Sequence, residues 1–120
     1  MKKKFFFKKK YRLFKNYQFC FVFKKSHKVF NKKFLIFSRE NYCKHPRLGI
    51  RISTKIIKFS YKRNIVKRII RESFRKNIKK LFYMDFIVMV KNNISKVKNF
   101  YLFVSLQNLW ERYFNYDQIL

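Results

Sequence analysis

The clearest periodicity in the chain lies between residues 62 and 75, KRNIVKRIIRESFR. On a projection of about 100° per residue, Lys67, Arg68, Arg71 and Arg75 gather on one arc and Ile65, Val66, Ile69, Ile70 and Phe74 on the opposite one. This predicts an amphipathic helix with a cationic face over about 62–80. Farther on, MDFIVMVK over 84–91 is an apolar run of strand length. In 99–114, Phe100, Phe103, Val104, Leu106, Leu109, Trp110, Tyr113 and Phe114 form the wide apolar stripe of a second helix, with Asn99 as its cap. Upstream, 28–38 (KVFNKKFLIFS) reads as a strand bent near Asn31 and 47–53 (RLGIRIS) as the next, with a polar surface turn between them. Residues 12–25 stay ambiguous, because Phe19, Phe21 and Phe23 alternate like a strand while Phe19, Val22 and Phe23 also share a helix face. Asn16 offers an N-cap for the helical reading.

The pattern gives an α+β fold, a two-layer sandwich of sheet and helices. At 120 residues it forms one domain, too small to add a separate substrate domain. A basic arm is expected over 1–10, the folded domain over 11–114 and a short tail over 115–120.

Charge sharpens this picture. The chain holds 32 Lys and Arg against 5 Asp and Glu, a formal net charge of +27. A compact state with that charge repels itself at low salt, so an anionic partner is expected. Disorder would require a chain poor in aromatic and branched residues, whereas 48% of this one is hydrophobic and 22% aromatic. The single Gly and single Pro beside many Lys, Asn, Ile, Phe and Tyr also point to a coding bias toward adenine and thymine. No apolar run approaches the roughly 20 residues of a membrane span, and the opening MKKKFFFKKK lacks a signal peptide's apolar region. The expected location is the cytoplasm.

The residues for protein-borne catalysis are missing from the pattern. Glu40, Glu72, Asp85, Glu111 and Asp117 are scattered singly, with no acidic cluster to clamp Mg²⁺ beside a phosphate. His27 and His45 have no evident partner for acid–base work. Cys20 and Cys43 fit reduced thiols better than a disulfide framework, and Cys20, His27, Cys43 and His45 lack the spacing of a zinc site.

The order of residues in the basic helix is more particular than its charge. The string from Arg63 to Arg75, RNIVKRIIRESFR, resembles the signature of the protein subunit of bacterial ribonuclease P: RNR, a hydrophobic residue, KR, two residues, then REAFR or RESFR. The likeness extends to RLFKNYQFCFVFKKS, similar to the family's opening helix, to Pro46-Arg47-Leu48-Gly49-Ile50, to Ser53-Thr54-Lys55, to the strand after the basic helix, and to Leu109-Trp110-Glu111-Arg112 in its closing helix. It covers about residues 11–114 and settles 12–25 as helical. Two departures stand out: Ile65 occupies the usual place of the second Arg of RNR, with Lys62 beside it to supply the charge, and 56–61 lacks a Gly that many members carry.

The resemblance implies a fold like the second domain of ribosomal protein S5, in which the basic helix is an uncommon left-handed crossover between parallel strands; general handedness rules favour the right-handed one. It implies an accessory subunit of an endoribonuclease, whose RNA subunit holds Mg²⁺ and removes the 5′ leader of precursor tRNA. The protein itself would bind no cofactor. Ribonuclease P RNA is then expected on Lys62, Arg63, Asn64, Lys67, Arg68 and Arg71. The single-stranded leader is expected in a cleft between the first helix and the open sheet face, at Phe19, Phe23, Phe37 and Lys55. One protein per RNA, without a membrane, is the expected assembly. The competing readings are a small basic ribosomal or RNA-chaperone protein of the same fold, and a cationic membrane-surface peptide, against which the strands speak.

Overall fold

The apolar run near the middle of the chain is β4 (Met84–Val90), an interior strand of a four-stranded sheet ordered β1-β2-β4-β3. Neighbours on both sides and packing on both faces bury Asp85, Phe86, Ile87 and Val88 in succession, which explains why the segment reads as continuous rather than alternating. β1 (His27–Phe30) and β2 (Phe34–Glu40) form an antiparallel hairpin, β2 pairs antiparallel with β4, and β3 (Arg47–Arg51) runs parallel to β4. The structure, a computed structural model, describes residues 9–119. The basic arm expected over 1–10 therefore lies outside the described residues except for Lys9 and Lys10, which open a 3-10 turn, Lys9–Tyr11.

The single bent strand expected over 28–38 is two strands. Asn31 Oδ1 accepts the backbone N–H groups of Lys33 and Phe34, both at 2.9 Å, an Asx-type turn that reverses the chain where periodicity suggested only a bend. The Asn31 amide also donates to Ser105 O and Oγ, at 3.0 and 2.9 Å, tying the hairpin to the last long helix.

Parallel strands need a crossover, and α2 (Ser60–Asn77) supplies it between β3 and β4. A 3-10 turn, Ile78–Lys80, extends it. Val66, Ile69, Ile70 and Phe74 of α2 and Leu102, Leu106, Leu109 and Trp110 of α3 (Asn99–Trp110) pack on one sheet face against Phe34, Ile36, Phe86 and Val88. A polar clasp fixes how the helices meet: Trp110 Nε1 donates to Ser73 Oγ at 3.0 Å, and the amides of Asn77 and Gln107 exchange hydrogen bonds at 2.9 and 3.0 Å. These groups are buried or half-buried, so each needs its partner. The expected apolar stripe of α3 is broader than its core face, since Phe100 and Val104 are exposed. Asn99 is the first helical residue and Lys98 takes the N-cap position.

The opposite sheet face carries α1 (Asn16–Lys24). Asn16 is not its cap: Lys15 occupies that position, and Gln18 Oε1 accepts the N–H groups of Phe14 and Lys15, at 2.9 and 3.0 Å, a half capping box. Leu13, Phe19 and Val22 pack on Ile87, with Phe37 and Met89 at the margin. Before the helix begins, Leu13 N–H donates to Leu48 O at 2.8 Å and Arg12 forms a parallel bridge with Leu48. The segment around residues 12–13 thereby extends the sheet past β3 and links the two faces.

α1 approaches the sheet closely because Gly49 has no side chain. A Cβ there would stand 2.7 Å from two atoms of the Phe19 ring and 3.2 Å from Leu13 Cβ. Gly49→Ala is therefore expected to lift α1 and to lower stability by about 1–3 kcal/mol, the usual range for overpacking. Urea unfolding measures it; an unchanged or raised midpoint would show that the ring yields freely.

Candidate nucleic-acid interface

Burial fixes the orientation of α2, leaving Tyr61, Asn64, Ile65, Arg68 and Lys76 exposed and Lys62, Arg63, Lys67, Arg71, Glu72 and Arg75 half-buried. Of the expected cationic arc only Arg68 is fully exposed; Lys67, Arg71 and Arg75 are half-buried along its border. Ile65 is a correction: placed with the apolar residues by projection, it is 44% exposed and shares the outer face with Arg68. It lies about a third of a turn from the centre of the buried stripe, where the sheet no longer reaches it.

The cations on α2 differ in role. Arg63 Nη1 donates to the carbonyls of Ile57 and Lys58, at 2.9 and 2.8 Å, so this guanidinium braces the loop between β3 and α2. Arg68 and Asn64 stand exposed on the outer face. Lys67 and Arg71 join Arg12, Leu13, Phe14, Leu48 and Ile50 around an open pocket of about 170 Å³. Burial, and then the positive field of Arg12, lower the pKa of Arg71. An anion in this pocket would relieve the repulsion between the two guanidinium groups, and their planar donor forks suit phosphate oxygens. Arg12 lies outside the cationic pattern of the helix. Its signal was available as the basic residue directly before buried Leu13, but its approach to Arg71, 59 positions later, is a tertiary event.

On the other sheet face α1 packs over β2 and β4, and part of β1 stays uncovered, with Lys28 and Phe30 exposed. Phe23 and Phe37 meet edge to face there, ring centroids 5.1 Å apart at 85°, with Lys28 Nζ 5.4 Å from the Phe37 centroid. Phe23 is 40% exposed and Phe37 half-buried. The end of α1 is held by Arg39, whose Nη1 donates to Phe21 O at 2.6 Å while its guanidinium lies 3.6 Å over the Phe21 ring. Phe19, expected among the cleft rings, belongs to the core. It is 7% exposed, seated on Gly49, with the Arg51 guanidinium 4.2 Å from its ring centroid. The bare glycine draws the ring inward. Lys55 is exposed in the turn that follows β3.

A larger hollow of about 440 Å³ lies at another end of the sheet, lined by His27, Glu40, Phe82, Tyr83, Arg112 and Tyr113 among others. It has mixed charge and no α2 residue. Cys20 and Cys43 are free thiols, and among the described residues no three His, Cys, Asp or Glu side chains are grouped to hold a metal ion. No helix among the described residues is long and apolar enough to cross a membrane.

Comparison with known proteins gives one answer from sequence and from structure. The family model of ribonuclease P matches residues 7–114. The ribonuclease P protein component of Baumannia cicadellinicola is 43% identical over 108 residues, covering 90% of this chain and 94% of the relative. Among solved structures, the RNase P protein of Staphylococcus aureus superposes with a TM-score of 0.81 at 31% identity, covering 88% of this chain and 98% of that one. The RNase P protein of Thermotoga maritima gives 0.76 at 28% identity, covering 87% and 98%.

Proposed function

The chain belongs to the ribonuclease P family, as the protein component of bacterial ribonuclease P, and from that premise we propose how its two surfaces serve the ribonucleoprotein. The outer face of α2, with Lys62, Asn64, Lys67, Arg68 and Arg71, binds the catalytic RNA. The uncovered sheet face beside α1, with Phe23 and Phe37, holds the single-stranded leader of precursor tRNA, and Lys55, in the turn after β3, is assigned to its phosphates. Rings stack on unpaired bases whatever their identity, and lysines follow the phosphates. That chemistry suits a substrate class whose leaders differ in sequence.

The observation that carries this reading is the way the N-terminal segment turns around the edge of β3. Arg12 lines the cationic pocket of α2 while Leu13, the next residue, is buried under α1, so a single segment ties that pocket to α1, whose last turn carries Phe23. A protein so built brings the ribozyme and the dangling end of its substrate together. Bond cleavage belongs to the RNA subunit with its Mg²⁺. Arg47 holds Asp85 in a buried ion pair at 2.8 Å, which removes that carboxylate from any catalytic use. With a net charge of +27 opposing self-association, one protein per RNA is the assembly, and its place is the cytoplasm.

The test is reconstitution with the cognate RNA. The protein should raise cleavage of precursor tRNA at Mg²⁺ concentrations where the RNA alone is slow. Cleavage by the RNA-free protein, or no effect on the RNA, would contradict the proposal. Within this scheme Phe23→Ala should weaken binding of precursor tRNA by about 5- to 100-fold, the range for one stacked base, and leave mature tRNA almost unaffected. Equal losses for both tRNAs would assign Phe23 to packing alone.

A further inference from the structure

The start of α2 carries a cluster that neither the charge pattern nor the leader cleft accounts for. Phe59 and Tyr61 lie with centroids 5.9 Å apart and planes inclined by only 33°, and they are 51% and 60% exposed. Lys58 and Lys62 hold their ammonium groups 5.9 and 5.5 Å from the centre of the Phe59 ring. Phe59 also occupies the N-cap position and makes no side-chain capping bond, although Ser, Thr, Asp or Asn would stabilise the helix there. Tyr61 and Ile65 are four residues apart, and Arg68 follows three later, so all three share the exposed face of α2. Two exposed, mutually tilted rings bordered by cations thus head the row that leads to Arg68.

We propose that Phe59 and Tyr61 form a stacking platform for an unpaired base of the ribonuclease P RNA, with Lys58 and Lys62 on its phosphates. This rests on the reading of α2 as the catalytic-RNA surface and adds to it a contact that is not electrostatic. The combination selects the occupant. An apolar partner would leave the two ammonium groups without counter-charge, and a second copy of this chain would bring another +27 to the contact. A nucleotide offers a flat π face and an anion in one unit, and cation–π contacts of the kind already present around Phe59 persist when a base stacks on the outer ring.

The platform can be read optically, because the native Trp110 is fully buried. In Phe59→Trp the introduced indole sits in the exposed cluster, and saturating catalytic RNA should quench its emission while the emission of the unmodified protein changes little. The double variant Phe59→Ala/Tyr61→Ala should bind the catalytic RNA about 5- to 100-fold more weakly. Its affinity should retain the original slope against salt, since no phosphate contact is removed. Arg68→Ala, measured in parallel, should lose affinity and slope together. An unquenched indole at saturation, full affinity of the double variant, or quenching seen only when precursor tRNA is added would overturn the platform. If Arg68→Ala still weakens binding in those cases, the assignment of α2 to the catalytic RNA stands without it; if neither Arg68→Ala nor Arg71→Ala has an effect, both fall.

Discussion

Arg68→Ala and Arg71→Ala are each expected to weaken binding of the catalytic RNA by about 10- to 100-fold, the worth of a hydrogen bond to a charged group. Each should also flatten the dependence of log affinity on log salt by about 0.7–0.9, one phosphate's worth of released counterions. The two positions differ in an informative way. Arg68 is exposed, so its loss removes a contact and little else. Arg71 is half-buried at the pocket it shares with Arg12, where burial, and after it the repulsion from Arg12, lower its pKa. Removing Arg71 therefore relieves strain in the free protein while costing affinity, and Arg71→Ala should unfold at a higher urea concentration than the parent at low salt. Filter-binding titrations across a salt series measure the first effect. An unchanged affinity and slope in both variants would take α2 out of the RNA interface.

Asp85→Ala should produce the largest loss of stability, about 3–5 kcal/mol, the range for breaking a buried ion pair from one side. Asp85 is 2% exposed and accepts both Nε and Nη2 of Arg47 at 2.8 Å, together with the Asn41 amide at 2.8 Å. The bidentate bond outweighs burial and raises the pKa of Arg47. Without the carboxylate, a guanidinium fixed on β3 and an amide at the exit of β2 lose their shared acceptor. Arg47 is 23% exposed, so water recovers part of the loss and the lower end of the range is expected. Asp85→Asn keeps one acceptor oxygen and should cost less. A midpoint of urea unfolding within experimental error of the parent for Asp85→Ala would mean that the pair adds nothing to this fold.

Several elements were legible in the linear pattern because their signals are local. β4 reads as a strand from its unbroken apolar run, and α2 from a cationic arc opposite an apolar one. The resemblance settles α1, where Phe19, Phe21 and Phe23 fit the period of a strand and Phe19, Val22 and Phe23 that of a helix. At Asn31 the pattern suggests only a bend, because Asn marks a change of direction without fixing its angle. Residue preference points to Asn16 and Asn99 as caps, yet each lies one position inside its helix. Gln18 reaches back at α1 to accept the N–H groups of Phe14 and Lys15, at and before the cap position, a contact that residue preference at the cap does not specify.

The sequence by itself determined that this is a folded, strongly cationic α+β domain of the ribonuclease P family, because family signature, charge and periodicity are properties of neighbouring residues. Only the tertiary structure decided which rings and cations face outward. In a chain where more than a fifth of the residues are aromatic, nearly every face of every element looks apolar, and periodicity no longer separates core from surface. Gly49 takes Phe19 into the core, the carbonyls of Ile57 and Lys58 engage Arg63, and Arg12 meets Arg71 across β3. Each outcome depends on groups far apart along the chain or on the shape of a loop, and neither is encoded in the spacing of hydrophobic and polar positions.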